Sequence, residues 1–135
     1  MNYRDFHDGF FEGLWIPGKE VVHVHLSTSS RQRKTAVLAG VVMLKAGEFK
    51  EGNIILDILV RDHNEITLAD IEELYDLHPG HEPQPWEYDL LKRTREQSLI
   101  LFEVNSSYGD TCCVLAKTVE LLECRDWKKR FLDFD

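Results

Sequence analysis

Residues Lys34–Arg61 read KTAVLAGVVMLKAGEFKEGNIILDILVR, two long apolar runs joined by a polar segment that contains glycine. Runs of this length that are rich in Val, Ile and Leu are typical of buried β-strands. The segment therefore predicts a β-hairpin with strands at Thr35–Leu44 and Asn53–Arg61. Gly40, inside the first run, predicts a bulge or a close approach by another side chain.

The sequence on either side of this segment predicts further strands and two helices. Strands are expected at Phe10–Ile16, Glu20–Thr28, Ser98–Val104 and Thr111–Glu123. Thr67–Leu77 has an apolar stripe at helical spacing behind a Thr67 cap, and Trp86–Gln97 predicts a second short helix. The predicted fold class is α+β, with about six strands in a mainly antiparallel sheet. We expect the sheet to form a barrel or a sandwich, with one or two helices inserted after strand four.

The length of 135 residues predicts a single domain over residues 1–135, large enough to bury its own core. Residues 78–86, HPGHEPQPW, hold three of the four prolines. We interpret this segment as a loop within the domain, because too little chain follows it for a second one. The tail Arg125–Asp135 is expected to dock its aromatic side chains on the body of the protein.

Several features predict a cytoplasmic protein with no membrane partner. The longest uncharged apolar run, Thr35–Leu44, is shorter than the about 20 residues of a membrane-spanning helix. The N-terminal residues carry acids and lack a basic region before an apolar stretch, so we expect no signal peptide. The three cysteines, Cys112, Cys113 and Cys124, have no framework spacing, which indicates reduced thiols.

The net charge of −8 is unevenly distributed along the chain. Residues 1–66 hold 8 basic and 9 acidic side chains, whereas residues 67–135 hold 8 basic and 15 acidic. This balance repels phosphate backbones, so we expect no nucleic-acid partner. It would attract a basic protein instead. The side chains expected to form that acidic partner face are Asp70, Glu72, Glu73 and Asp76. The alternative is a solvated face that only keeps the protein soluble.

His23 and His25 are the candidates for a metal or small-molecule site. Residues i and i+2 of a strand project from one face, so both imidazoles could hold one metal ion. A third ligand would come from His7, Asp8, Asp62, His63 or a carboxylate on a neighbouring strand. The alternative is a pair of half-exposed strand histidines with no ligand. No cofactor motif is present in the sequence, and none is expected.

Asp57 interrupts an otherwise apolar strand. A buried carboxylate is costly unless it is paired, so Asp57 is expected to meet Arg33, Lys34 or His25, or to leave the sheet through an open face. If Asp57 and His25 share a face, they form the most plausible polar site.

His7 and Asp8 stand side by side, which suggests a general base. No recognisable nucleophile motif accompanies them, and Asp8 before Gly9 is also typical of a turn. We therefore expect no catalytic residues and lean towards a protein that is not an enzyme.

Phe6-His7-Asp8-Gly9 and the later segment Phe49–Asp57, FKEGNIILD, resemble a group of small bacterial proteins of unknown function. Their common pattern is an F-H-D-[AG] start followed by an F-x-E-G-N-I-I-x-D hairpin. Some members look like immunity proteins of polymorphic toxin systems. The resemblance ends before Thr67, and it implies a bacterial origin and an immunity-like role without assigning any catalytic residue.

These observations support three hypotheses. The first is a cytoplasmic binding protein, immunity-like and not an enzyme, whose acidic second half meets a basic protein partner. The second is a metal-binding or small-molecule-binding β domain that uses His23 and His25. The third is a homodimer that buries strand edges and aromatic side chains.

Overall fold

The computed structural model describes residues 3–47, 53–78, 80–107 and 109–123. A short 3-10 helix at Tyr3–Phe6 precedes the main elements. Those are β1 (Phe10–Gly18), β2 (Val21–Ser27), β3 (Arg33–Ala39), β4 (Met43–Ala46), β5 (Ile55–Arg61), α1 (Leu68–Leu74), α2 (Pro85–Glu96), β6 (Ile100–Ser106), β7 (Gly109–Ala116) and β8 (Thr118–Glu123). The predicted α+β class is confirmed, with eight strands and two helices in the described residues.

The strands form two antiparallel sheets that pack face to face. Sheet A has the order β1-β2-β3-β8, and sheet B has the order β4-β7-β6-β5. The core between them takes side chains from both sheets, among them Val24, Leu26, Leu38, Ile55, Phe102 and Val114. The sheets do not close into a barrel, so the sandwich is the arrangement that forms.

A second core lies on the outer face of sheet B, beneath the two helices. Leu101 and Leu115 of the sheet contact Ile71 and Leu74 of α1 and Leu90 of α2 there. The described residues therefore make three layers: sheet A, sheet B and the helices. Neither helix combines the length and the apolar character that crossing a membrane would take.

One antiparallel ribbon runs through both sheets and bends where they meet. β3 pairs with β8 in sheet A, and β4 pairs with β7 in sheet B. The chain changes sheet at Gly40 and again at Lys117, whose amide donates to the carbonyl of Ala39 at 3.0 Å. Gly40 has a φ of +63°, and a Cβ there would lie 2.7 Å from carbons of the Lys117 side chain. The close approach predicted at Gly40 is confirmed.

The predicted hairpin of Thr35–Leu44 with Asn53–Arg61 is wrong. The bend at Gly40 divides the first run into β3 and β4, and β4 lies at the opposite edge of sheet B from β5. The extra strand also means that the helices follow strand five and not strand four. Thr111–Glu123 likewise divides into β7 and β8, because Lys117 bends the same ribbon on its other strand.

Local signals located the helices well. Thr67 caps α1 as predicted: its hydroxyl accepts from the amide of Asp70, whose carboxylate accepts from the amide of Thr67 at 2.7 Å. α2 begins with Pro85. Proline suits this position because the backbone N–H of the first helical residue has no hydrogen-bond partner within the helix. The expected docking of the tail Arg125–Asp135 falls outside the described residues, as does Cys124.

Candidate functional site

The two segments that carry the family-like pattern are in direct contact. The amide of Asp8 donates to the carbonyl of Ile55 at 3.0 Å, and the amide of Ile55 donates to the carbonyl of Gly9 at 2.9 Å. A Cβ on Gly9 would lie 2.1 Å from the carbonyl oxygen of Ser27, so only glycine fits there. The pattern therefore fastens the N-terminal turn to β5 at an edge of the sandwich. Residues 48–52 of the second segment lie outside the described residues.

His7 and Asp8 belong to this junction. The His7 Nδ1 lies 2.7 Å from the carbonyl oxygen of Leu56 on β5. Its Nε2 is 3.7 Å from the Asp8 carboxylate, and 60% and 73% of the two side chains are exposed. Asp8 has a φ of +62°, in agreement with the predicted turn. The contacts of both residues are those of a structural junction between two chain segments.

His23 and His25 project from the outer face of sheet A, on the side away from the core. His23 is fully buried, with its ring 5.2 Å from that of Trp15 and perpendicular to it. The Nδ1 of His25 lies 3.1 Å from the Thr35 hydroxyl, and the two imidazole centroids are 6.3 Å apart. Burial lowers the pKa of His25 against the opposing effect of Glu12. Within the described residues, neither histidine joins a group of three metal-ligating side chains.

Asp57 does not join these histidines, because β5 belongs to sheet B and β2 to sheet A. The polar site that Asp57 and His25 would have made on a shared face is not formed. Asn105 on the neighbouring strand donates to the Asp57 carboxylate at 2.8 Å. The side chain of Asp57 is exposed, in agreement with the predicted alternative that it leaves the sheet through an open face.

The predicted acidic face borders a cleft between α1 and the outer face of sheet B. Its volume is about 450 Å³. Side chains that line it include Asp70, Glu73 and Asp76 from the helical side and Lys45, Glu103, Asn105 and Cys113 from the sheet. Glu72, the fourth residue of the predicted face, does not line the cleft. The cleft, which combines acids from two layers, is a feature that the sequence does not reveal.

Two cations pair with the acids of the cleft. Arg61 donates to Asp70 at 2.7 Å and to Glu103 at 3.1 Å, which ties α1 to sheet B. Burial raises the pKa of Asp70, but the hydrogen bonds from Arg61 and Thr67 outweigh it, so the pKa lies below its usual value. The Lys45 ammonium lies 2.8 Å from the Asp76 carboxylate. Four carboxylates thus meet two cations, and the cleft stays negative.

A second polar cluster joins α1, the proline-rich loop and α2. The Nε2 of His81 lies 3.0 and 3.1 Å from the two carboxylate oxygens of Glu87, which is fully buried. The backbone amide of Gln84 donates to the same carboxylate. Glu72 approaches from α1, so that one ligand atom from each of Glu72, His81 and Glu87 lies within 4.8 Å of the other two.

The charges of this cluster stabilise one another. The hydrogen bond to Glu87 raises the pKa of His81 above its usual value. Burial raises the pKa of Glu87, but the bonds from Gln84 and His81 prevail and lower it. Glu87 is therefore a carboxylate that is held ionised although it is buried.

Neither His81 nor Glu87 was among the site residues predicted from the sequence. One signal was present: Gln84 and Glu87 have the spacing of a capping box, which directs a glutamate back towards the loop before a helix. The return of the loop towards Glu72 is a tertiary contact with no signature in a single sequence.

Comparison with known proteins finds no matching family model, no matching curated protein and no matching solved structure. The resemblance to immunity-like bacterial proteins therefore stays a prediction from two short motifs.

Proposed function

We propose that this protein is a non-enzymatic binding module whose acidic cleft receives a cationic side chain from a basic protein partner. The observation that carries the proposal is the cleft of about 450 Å³ with carboxylates on both walls. A lysine or arginine that entered it would form charge-assisted hydrogen bonds, which are about twice as strong as neutral ones. The immunity-like role suggested by the sequence pattern is one instance of such a module.

The ion pair at the mouth of the cleft presents a small barrier to a ligand. The side chains of Lys45 and Asp76 are 31% and 75% exposed. Exposed pairs of this kind contribute about 0–1 kcal/mol. The Lys45 ammonium also donates to the backbone carbonyl of Glu73 at 3.0 Å, so an incoming guanidinium can take its place at Asp76 while Lys45 keeps that bond. By contrast, Arg61 pairs with Asp70 on the helical wall and with Glu103 on the sheet wall, so these two carboxylates are held in place.

The charge of the whole second half supports the same partner class. Its excess of acids over bases extends beyond the cleft and would raise the rate of encounter with a basic surface. Salt would screen this attraction over a distance of about 8 Å at physiological ionic strength. Partner binding should therefore weaken steeply as salt rises.

Affinity capture from the cells that encode the protein tests the proposal. The bait variant Glu73→Gln/Asp76→Asn removes two charges from the cleft. Glu82→Gln/Asp89→Asn removes two from exposed positions elsewhere in the same half and is the matched control. We expect wild type and control to retain a basic partner that the cleft variant loses, and titration of that purified partner should show the same order of affinities. An unchanged partner list for the cleft variant, folded by circular dichroism, refutes the proposal.

Self-association is a second candidate function, supported by the edge strand β5. Leu56, Leu59 and Val60 are 50%, 43% and 37% exposed there. Apolar edge strands tend to pair with a second copy of the same strand. The mass measured by light scattering should then be that of a dimer, and Leu59→Lys should return it to that of a monomer. A monomeric mass for the wild type at all concentrations excludes this candidate.

A further inference from the structure

We propose that Glu72, His81 and Glu87 form a binding site for a divalent transition-metal ion, with Zn²⁺ as the best match. The site is separate from the acidic cleft, because none of the three side chains lines it. The ion would join α1, the loop 78–86 and the first turn of α2. The argument rests on the orientation of the His81 ring, the spacing of the ligand atoms and the burial of Glu87.

The orientation of His81 suits a positive charge between its Nε2 and Glu87, which either a proton or a metal ion can supply. The Nδ1 lies 3.0 Å from the carbonyl oxygen of His78, which only accepts, so this contact is a hydrogen bond in the tautomer that has its proton on Nδ1. The Nε2 then faces two carboxylate oxygens, which also only accept. A neutral ring would set its lone pair against that carboxylate. The contact is favourable only with a second proton on the ring or with a metal ion in its place.

The spacing of the ligand atoms fits a metal ion. Two ligands at about 2.0–2.1 Å from a tetrahedral Zn²⁺ are about 3.3 Å apart. The His81 Nε2 and a Glu87 oxygen are 3.0 Å apart, so an ion needs only a small separation of the two side chains. Glu72 supplies the third ligand: its oxygen lies within 4.8 Å of both and would have to move closer by at most about 1.5 Å.

The surroundings have the features that support a metal ligand. A ligating histidine usually donates its other N–H to a carboxylate or a backbone carbonyl, as His81 does to His78. The Gln84 amide orients the Glu87 carboxylate, which is fully buried, whereas 21% of the His81 side chain is exposed. An ion would enter from the His81 side, and solvent would supply the fourth ligand.

The set of donors selects the class of metal. One imidazole and two carboxylates suit Zn²⁺ and related transition metals. Ca²⁺ takes six to eight oxygen ligands, which this cluster does not provide. The site should therefore discriminate strongly against Ca²⁺.

Isothermal titration of untagged, EDTA-treated protein with Zn²⁺ tests the proposal. We expect one ion per chain. Glu72→Gln and His81→Gln should each weaken binding at least about tenfold, in line with the loss of an oriented ligand. Glu82→Gln removes the same charge from an exposed position next to His81 and should bind as wild type does. His25→Ala tests whether the ion binds at His23 and His25 instead.

Glu72→Gln keeps the proposal falsifiable, because the contact between His81 and Glu87 does not depend on Glu72. The folding of this variant can be checked by circular dichroism before titration. The proposal is overturned by sub-stoichiometric binding in the wild type, by binding that survives either substitution in the cluster, or by loss of binding in His25→Ala.

Discussion

The bend at Gly40 is sensitive to the addition of a single methyl group. Gly40→Ala places a Cβ 2.7–2.8 Å from three carbons of the Lys117 side chain, in a backbone with φ of +63°. The left-handed conformation costs an alanine about 1–2 kcal/mol. Lys117 is exposed, so its outer carbons can move aside, but its Cβ at 2.8 Å cannot, and the overpacking adds about 1 kcal/mol, the low end of its usual range. We therefore expect a loss of about 2–3 kcal/mol in the free energy of unfolding, a sizeable part of the about 5–15 kcal/mol of a typical domain.

Urea unfolding followed by circular dichroism measures this loss. Gly18→Ala is the matched control, because nothing lies within 4 Å of a Cβ there. Its unfolding midpoint should shift little. In the Gly40→Ala background, Lys117→Ala removes the outer carbons of the clash but keeps the Cβ, so it should recover part of the lost stability. Equal stabilities for Gly40→Ala and wild type would refute the account of the bend.

Three further predictions concern single residues. Asp70→Asn should lower the free energy of unfolding at neutral pH and flatten its dependence on pH, as measured by urea titrations. The pKa of Asp70 is lowered in the folded state. The stability that Asp70 contributes is therefore present above its unfolded pKa and is lost as the pH falls through the folded pKa. Burial raises the pKa of Cys112 to about 12, whereas Cys113 is less buried. When the folded protein is treated with iodoacetamide at pH 8, peptide mapping should therefore show that Cys113 is labelled first. Equal labelling of the two cysteines contradicts this. Gly9→Ala should loosen the junction with β5, because its Cβ would collide with the carbonyl of Ser27, and faster amide exchange at Ile55 would report it.

Sequence patterns predicted the elements of this fold better than their partners. The cap at Thr67 and the apolar stripe behind it are local, so α1 was located from the sequence alone. The pairing of β4 with β7 joins segments that lie far apart in the sequence, and no residue of β4 indicates which strand it will pair with. Gly40 gave the one hint of the bend. Its meaning depended on Lys117, which lies far along the chain and carries no turn signal.

The candidate sites show the same limit. The acids of the predicted face form one charged segment in the sequence, but the structure divides them between two environments. Glu73 lines the cleft and Glu72 turns towards His81 and Glu87. A helical spacing of one residue separates their directions by about 100°. The partners that each direction meets come from sheet B in one case and from the proline-rich loop in the other, and only the tertiary structure supplies them.

This division of α1 links the two proposals and gives a final prediction. A metal ion held by Glu72, His81 and Glu87 would fix α1 against α2, and α1 also carries one wall of the acidic cleft. Ordering that wall in advance removes part of the entropic cost of binding a partner. If both proposals hold, Zn²⁺ should tighten partner binding in wild type, as measured by titration of the purified partner with and without EDTA. Glu72→Gln should bind the partner as metal-free wild type does and show no response to Zn²⁺. Equal affinities for metal-loaded and metal-free wild type would show that the two sites act independently, because a rigid α1 would then need no metal to hold the cleft open.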